Sequence, residues 1–300
     1  MRPPYDWKET LKMIGRRFGP TPPLANGPVS GRISVHEEPT ECWIGFVGDI
    51  GPVLGRAVTV RPSVRSFFSD CDWMVGNLEG VLTDRAWTPY RQPIREDLWE
   101  LLAALRPLDR WALSLANNHA LDFGPEELEA SARRCEANGV QWFGLAERPR
   151  ISLRSGLTVT GWTRWLNGSD PGILARQDPG DLPESGLHVA FPHWGYEHER
   201  TPRPSQRRML PSGYGAVVGH HSHLPQPVEL VGEDRIVAWS LGNFVTGKLL
   251  RKLGEGLALR LGLGQRGDGD LVITEARYRH LRIERPYHRR RCRIDWYERN

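Results

Sequence analysis

Three histidines fall within four positions of "AVVGHHSHLPQP", residues 216–227. Following a short apolar run, His220, His221 and His223 offer nitrogen donors that neither a core strand nor a solvated loop requires. The same arrangement recurs along the chain. "CWIGFV" runs through Gly48 into Asp49, and "DWMVG" into Asn77-Leu78-Glu79-Gly80. "WALSLA" is followed by Asn117, Asn118 and His119, "LHVAFP" by His193, Trp194 and Glu197, and "RIVAWS" by Leu241-Gly242-Asn243. Each residue has an ordinary reading when taken singly. Asp49 could cap a helix, Asn118 could serve a turn, Glu79 could pair with an arginine, and a lone histidine after a strand is usually just hydrogen-bonded. Six strand ends carrying such side chains together point instead to one shared site. Carboxylates, an amide and imidazoles form a hard-to-borderline donor set suited to divalent Mn, Fe or Zn.

The elements that must position these residues alternate between short apolar runs and helical patterns. "PIREDLWELLAALRP" places Ile94, Leu98, Leu101, Leu102 and Leu105 on one helical stripe that Pro107 ends. "GPEELEASARRCEANGV" has Pro125 in a first-turn position, acids in the first turn and Gly139 as a stop. This alternation predicts an α/β fold with parallel pairing in its first half. Residues 228–285 read as strand-rich and hairpin-like, with Gly-Asp-Gly turn chemistry in "GQRGDGDLVITEARYRHLRI", so the sheets are expected to be mixed. In open α/β sheets the C-terminal strand ends face a common crevice, which would gather Asp49, Glu79, Asn118, His119, His193, His221 and His223. No glycine-rich nucleotide loop is present.

Composition sets the outer limits. The chain has 300 residues, 39% hydrophobic and 25% charged, with a net charge of +4, as for an ordinary globular protein. Its N-terminal stretch has no continuous apolar core, so neither a Sec signal peptide nor a membrane anchor is expected. Cys42, Cys71, Cys135 and Cys292 are widely spaced; reduced thiols and a cytoplasmic location follow. Absence of thiolates from the histidine-rich segments favours a hydrolytic metal over a structural one. Residues 1–40, rich in Pro, Gly and charge, read as an N-terminal arm whose "WKETLKMIGRRF" forms a helical turn or two. Residues 41–285 read as the main domain and 286–300 as a basic C-terminal tail. Nucleic acid is not an expected partner, because the arginine run lacks interleaved recognition motifs.

The ordered segments "FVGDI", "GNLEG", "LANNHALDFG", "HWGYEHE", "VVGHHSHLPQPVEL" and "IVAWSLGNFV" resemble the CapA-like (poly-γ-glutamate capsule biosynthesis) proteins of the calcineurin-like metallophosphatase superfamily. The resemblance covers roughly residues 42–247. It implies a four-layer α/β/β/α sandwich with one or two divalent metal ions at the strand ends. By that resemblance Asp49 matches the first metal aspartate, and Glu79 stands where the wider superfamily has a bridging aspartate. Asn118 matches a metal-binding asparagine, His119 the catalytic histidine beside it, and His193, His221 and His223 the later ligands. The superfamily's Asp-x-His reads Asp49-Ile50-Gly51 here, which removes one ligand and leaves one metal or an asymmetric pair.

The expected activity is hydrolysis of a phosphoester through a metal-activated water, with His119 protonating the leaving group and Asp122 orienting His119. An alternative is amide-bond hydrolysis or formation on γ-glutamyl or peptide-like substrates, and a further one is a non-catalytic assembly factor that kept the fold. The substrate is expected to be a small-molecule or peptide-like anion, with Arg85, Arg91 and Arg200 as candidate holders and Trp194 and Tyr196 as candidate pocket walls. Within the opening stretch, His221 and His223 fit a ligand pair and His220 is expected to be dispensable.

Overall fold

A computed structural model describes residues 4–20, 29–88, 90–177, 180–248, 250–285 and 290–298. Chain order opens with α1 (Trp7–Phe18), β1 (Ser30–Ser34), β2 (Cys42–Ile50), β3 (Ala57–Val60), α2 (Pro62–Phe68) and β4 (Trp73–Leu78). It continues through β5 (Val81–Leu82), β6 (Pro93–Ile94), α3 (Leu98–Ala103), β7 (Trp111–Ser114), α4 (Pro125–Ala137) and β8 (Gln141–Phe143). Then come β9 (Arg150–Arg154), β10 (Leu157–Thr163), β11 (Leu187–His193), α5 (Pro204–Arg207), β12 (Ala216–Val218) and β13 (Val228–Val231). The last elements are β14 (Arg235–Ala238), β15 (Asn243–Val245), β16 (Glu255–Gln265), β17 (Leu271–Glu284) and β18 (Arg291–Trp296).

Two mixed sheets stack face to face. The larger runs β3-β18-β17-β16-β2-β4-β7-β8, with β1 added to β17 and β15 to β2; the smaller runs β13-β14-β12-β11-β10-β9. Strands β2, β4, β7 and β8 are mutually parallel, as are β10, β11, β12 and β14. β16 and β17 form a long antiparallel hairpin, the behaviour expected for the second half. The metallophosphatase-like α/β sandwich follows from how alternating side chains divide between layers. Ile44, Phe46 and Val75 meet Val189, Phe191, Val218 and Ile236 between the sheets. The opposite face of the larger sheet, with Val47, Met74, Leu78 and Leu113, packs against Val64 and Phe68 of α2, Leu98 and Leu102 of α3 and Leu128 and Ala132 of α4. On the outside of the smaller sheet lie Trp162, Trp194, Val217 and Trp239, and Arg207 of α5 sits 4.8 Å from the Trp239 ring centroid.

Three boundaries differ from those expected. Residues 291–296, assigned to a basic tail, form β18, an interior strand between β17 and β3. Its burial alternates, with Cys292, Ile294 and Trp296 inside, Arg291 and Arg293 exposed and Asp295 half-buried; the charge run concealed a period of two. Residues 286–289 lie outside the described residues. The arm of residues 1–40 is tied to the domain, since β1 pairs with β17 and α1 is held by ion pairs from Arg16 and Arg203. The helix over "PIREDLWELLAALRP" covers only Leu98–Ala103, because Pro93 and Ile94 pair with β5 instead. By contrast α4 begins on Pro125 and ends before Gly139, whose φ is +75°, as its sequence predicts.

Candidate metal centre

Strands β2, β4 and β7 from one sheet and β11 and β12 from the other end at the same place. The pairing of β2 with β4 shifts register between Phe46 and Asp49, a bulge that re-aims the end of β2. Gly48 permits this, because a side chain there would collide with the Gly242 carbonyl. Asp49 is fully buried. Its Oδ1 accepts a 2.8 Å bond from Asn77 Nδ2, and its Oδ2 a 3.2 Å bond from the His221 amide.

The histidines close around that carboxylate. His193 ends β11; its Nε2 lies 2.9 Å from Asn118 Oδ1, and its Nδ1 lies 2.7 Å from His220 Nδ1. His220 Nδ1 is 3.5 Å from Asp49 Oδ1, and His223 Nδ1 is 3.2 Å from Asp49 Oδ2. His223 Nε2 faces Glu79 Oε1 at 3.5 Å. His221 and His223 have φ of +97° and +57°, a left-handed backbone that costs a non-glycine residue about 1–3 kcal/mol and persists only where surrounding structure enforces it. Asn117 builds the neighbouring turn: its Nδ2 donates to the Leu78 carbonyl at 2.7 Å and its Oδ1 accepts from the His119 amide at 3.0 Å.

Three overlapping sets each place one donor atom per residue within 4.8 Å of the others: Asp49, His193 and His220; Glu79, His193 and His221; Asp49, Glu79 and His223. Every member is buried. Glu79 Oε1 and His221 Nδ1 are enclosed without a hydrogen-bond partner, and unmet buried polar atoms are costly unless something satisfies them. A divalent cation fits this requirement, since carboxylate oxygens and imidazole nitrogens are its ordinary ligands.

Electrostatics agree with a cation-shaped deficit. Burial raises the Glu79 carboxyl to about 8, with Asp49 adding to the effect and His223 opposing it. Burial also favours neutral His223, but Glu79 and the Asp49 contact outweigh it and raise His223 to about 9. Burial opposes charge on Asp49 too, yet His220 and His223 hold it well below the usual carboxylate range. His193 and His221 are pushed well below the usual imidazole value, by burial first and then by neighbouring histidines. The cluster therefore retains protons that a metal would displace.

A cleft of about 520 Å³ opens over these residues, lined by His119, Asn118, Asn167, His223 and Lys248 and walled by Met13, Ile14, Arg17 and Phe18 of α1. His119 Nδ1 lies 2.8 Å from Asp122 Oδ2, which also accepts from the Gln92 amide at 2.7 Å. The two residues expected to pair are thus in contact, and His119 lines the cleft.

The chain matches a model of the family described as bacterial capsule synthesis protein PGA_cap over residues 51–160 and 181–248, together more than half its length. It belongs to this family. The matched stretches carry Glu79, Asn118, His119, Asp122, His193, His221 and His223, while Asp49 lies two residues before the first. This PGA_cap chain is 27% identical over 272 residues to the PGA biosynthesis protein CapA of Bacillus subtilis, covering 76% of the chain and 70% of that relative. It is 25% identical over 256 residues to the capsule biosynthesis protein CapA of Bacillus anthracis, covering 70% of the chain and 61% of that relative. A probable polyglutamine synthesis accessory protein of Mycobacterium tuberculosis is 28% identical over 189 residues, which is 51% of the chain and 48% of that relative. The chain thus spans between about half and somewhat over two-thirds of these relatives.

Within the PGA_cap site, the six expected ligand positions and the His119–Asp122 pair come together. Sequence reasoning left out Asn77, Asn243, Tyr5 and His220. Asn243 Oδ1 lies 3.1 Å from His223 Nδ1, and Tyr5 Oη lies 2.7 Å from His221 Nε2 while accepting from the Glu197 amide at 3.1 Å. Asn77 and Asn243 were visible inside the ordered motifs; nothing in the arm marked Tyr5. His220, set aside in the sequence, sits fully buried in the cluster. The candidate substrate arginines are engaged elsewhere: Arg85 pairs with Glu127, Arg200 with Glu255, and Arg91 lies over the Phe123 ring. Trp194 stacks on Trp239 in the outer core. Tyr196 stacks on Tyr5 beside His221.

Proposed function

We propose that this PGA_cap chain is a metal-dependent hydrolase acting on an anionic substrate, with a phosphoester as the best-supported class. The observation that carries the reading is the contact between two unlike groups at one cleft: a buried carboxylate–imidazole cluster and a partly open His119 oriented by Asp122. Asp49, Glu79, His193, His221 and His223, with the Asn118 carbonyl, would hold one or two divalent ions (Mn, Fe or Zn), and His220 is close enough to join them. A bound ion supplies Lewis-acid stabilisation of charge developing on a phosphoryl group.

The chain's own residues supply the rest. Asp122, accepting from Nδ1–H of His119 at 2.8 Å, leaves Nε2 as the nitrogen that exchanges a proton with the leaving oxygen. Lys248 and Arg17 line the same cleft and favour an anion. Four free, buried cysteines support a reducing, cytoplasmic setting. Among the described residues no helix is long and apolar enough to cross a membrane. Relatives named for PGA biosynthesis and polyglutamine synthesis favour a second reading, in which the same groups act on an amide bond of a γ-glutamyl substrate.

The test is turnover of an aryl phosphate and of a γ-glutamyl anilide by chelator-stripped protein resupplied with Mn, Fe or Zn. Metal-dependent phosphatase turnover that is abolished by Asp49→Ala and His119→Ala, and lowered about 100-fold in kcat by Asp122→Asn, supports the first reading. Turnover of the anilide alone transfers the site to amide chemistry. Failure of all three metals to bind leaves only the assembly role.

A further inference from the structure

Helix α1 is amphipathic, but its apolar side faces solvent. Trp7, Leu11, Ile14 and Phe18 are 70%, 60%, 43% and 73% exposed, and their spacing of four, three and four aligns them along one narrow stripe. They are half of the large hydrophobic side chains exposed among the described residues, so the concentration on one helix is specific. The opposite face is polar and fixed. Glu9, mostly buried, pairs with Arg16 and Arg203 at 2.7 Å each, and Arg16 reaches Glu199 at 3.2 Å. Tyr5, just before the helix, is pinned to His221. These contacts set the rotation of α1 and hold its apolar stripe outward.

The stripe is bordered by cations. Exposed Lys8 and Lys12 lie on one flank and Arg17 on the other. Lys8 Nζ is 5.5 Å from the Trp7 ring and the Arg17 guanidinium 6.0 Å from the Phe18 ring. On the exposed side of the helix the acidic residue is Asp6, whose carboxylate is engaged in capping the Glu9 amide at 2.8 Å. A convex apolar ridge with basic borders and a tryptophan suits a deformable anionic surface, and is the pattern of helices that lie in a bilayer interface. Ile14, Arg17 and Phe18 also wall the cleft, and Tyr90, another lining residue, is 72% exposed. The mouth of the cleft therefore opens beside the stripe.

We propose that α1 docks the protein peripherally on an anionic lipid bilayer, with Trp7, Leu11, Ile14 and Phe18 entering the headgroup boundary and Lys8, Lys12 and Arg17 facing lipid phosphates. Docking of this kind positions the cleft at the lipid surface without a spanning segment. It stands independently of the chemistry assigned to the cleft.

Cosedimentation of the full chain with vesicles tests it. Binding is expected to vesicles of equal parts phosphatidylglycerol and phosphatidylcholine, to weaken on pure phosphatidylcholine, and to fall as salt rises. Leu11→Glu should reduce partitioning about tenfold or more while leaving the melting temperature unchanged, because Leu11 is exposed. The double variant Lys8→Glu, Lys12→Glu should weaken binding and flatten its salt dependence. Wild-type protein remaining in the supernatant, or Leu11→Glu partitioning as wild type does, overturns the proposal. So does a concentration-dependent dimer abolished by Leu11→Glu without any vesicle binding, since the stripe would then belong to a second copy.

Discussion

Glu79→Gln separates what the cluster costs the fold from what it offers a metal. The substitution keeps the shape of the side chain and removes its charge, while the Asp49 contact with His223 at 3.2 Å remains. Glu79 Oε1 is buried without a hydrogen-bond partner, a condition that costs about 1–3 kcal/mol and more when the group is ionised. Its carboxyl is raised from 4.5 to about 8, primarily by burial. An acid whose folded value is raised binds its proton more tightly in the native state, so its ionisation destabilises the fold progressively as pH climbs from 4.5 towards 8. In chelator at a pH above 9, where His223 has also lost the proton that Glu79 helps it hold, Glu79→Gln should therefore be the more stable protein by about 1–3 kcal/mol. Metal reverses the order. Loss of partners that merely orient a ligand lowers metal affinity about 10–100-fold, so loss of a ligand carboxylate should lower it by about 100-fold or more. At a metal concentration about 100 times the wild-type Kd, wild type gains about 2.7 kcal/mol. At the same concentration the variant, with about one Kd equivalent of metal, gains only about 0.4 kcal/mol. Paired thermal melts with chelator and with added Mn, Fe or Zn read both quantities. Equal metal-induced stabilisation of the two proteins, or a variant less stable in chelator at that pH, would show that Glu79 is not a metal ligand held at a cost to the fold.

Tyr5→Phe removes the hydroxyl that touches His221 Nε2 and accepts from the Glu197 amide. It should lower stability by about 1–3 kcal/mol in denaturant titration and metal affinity by about 10–100-fold in calorimetric titration. Acid should undock α1. Burial opposes charge on Glu9, but hydrogen bonds from Arg203 and Arg16 outweigh it and hold the carboxyl below its ordinary 4.5. The resulting stabilisation is present above that value and lost as pH falls through the lower folded value. Hydrogen exchange across residues 7–18 should therefore accelerate below pH 4.5 before the core strands exchange.

Much of the site was legible because its parts repeat one local signal. Asp49, Glu79, Asn118, His119, His193, His221 and His223 each follow an apolar run, and parallel strands deliver such residues to the same end of their sheet without any knowledge of long-range packing. Two kinds of information were hidden. Arginine content concealed the alternation of Cys292, Ile294 and Trp296, so a strand read as a tail. Tyr5 reaches His221 across 216 residues of chain, and no local pattern encodes such a contact. The truncation of α3 has a related cause: Ile94 fits a helical stripe by spacing, but its backbone is taken by pairing with Leu82.

His220 presents a sharper case, because spacing and geometry make different statements about it. The G-x-H-x-H pattern singles out His221 and His223, and these two carry the left-handed backbone that turns the loop over Asp49. His220 is the residue from which that turn departs. Its amide donates to the Pro192 carbonyl at 3.1 Å and its own carbonyl accepts from the Trp194 amide at 3.2 Å, extending the β11–β12 pairing up to the cluster. The ring is carried inward by that pairing, to 2.7 Å from His193 Nδ1 and 3.5 Å from Asp49 Oδ1. Backbone and ring thus have separate duties: one holds β11 and β12 in register at the site, and the other adds a buried nitrogen beside the carboxylate. A substitution that preserves backbone pairing, such as His220→Asn, can therefore change the donor set while leaving the loop that presents His221 and His223 in place.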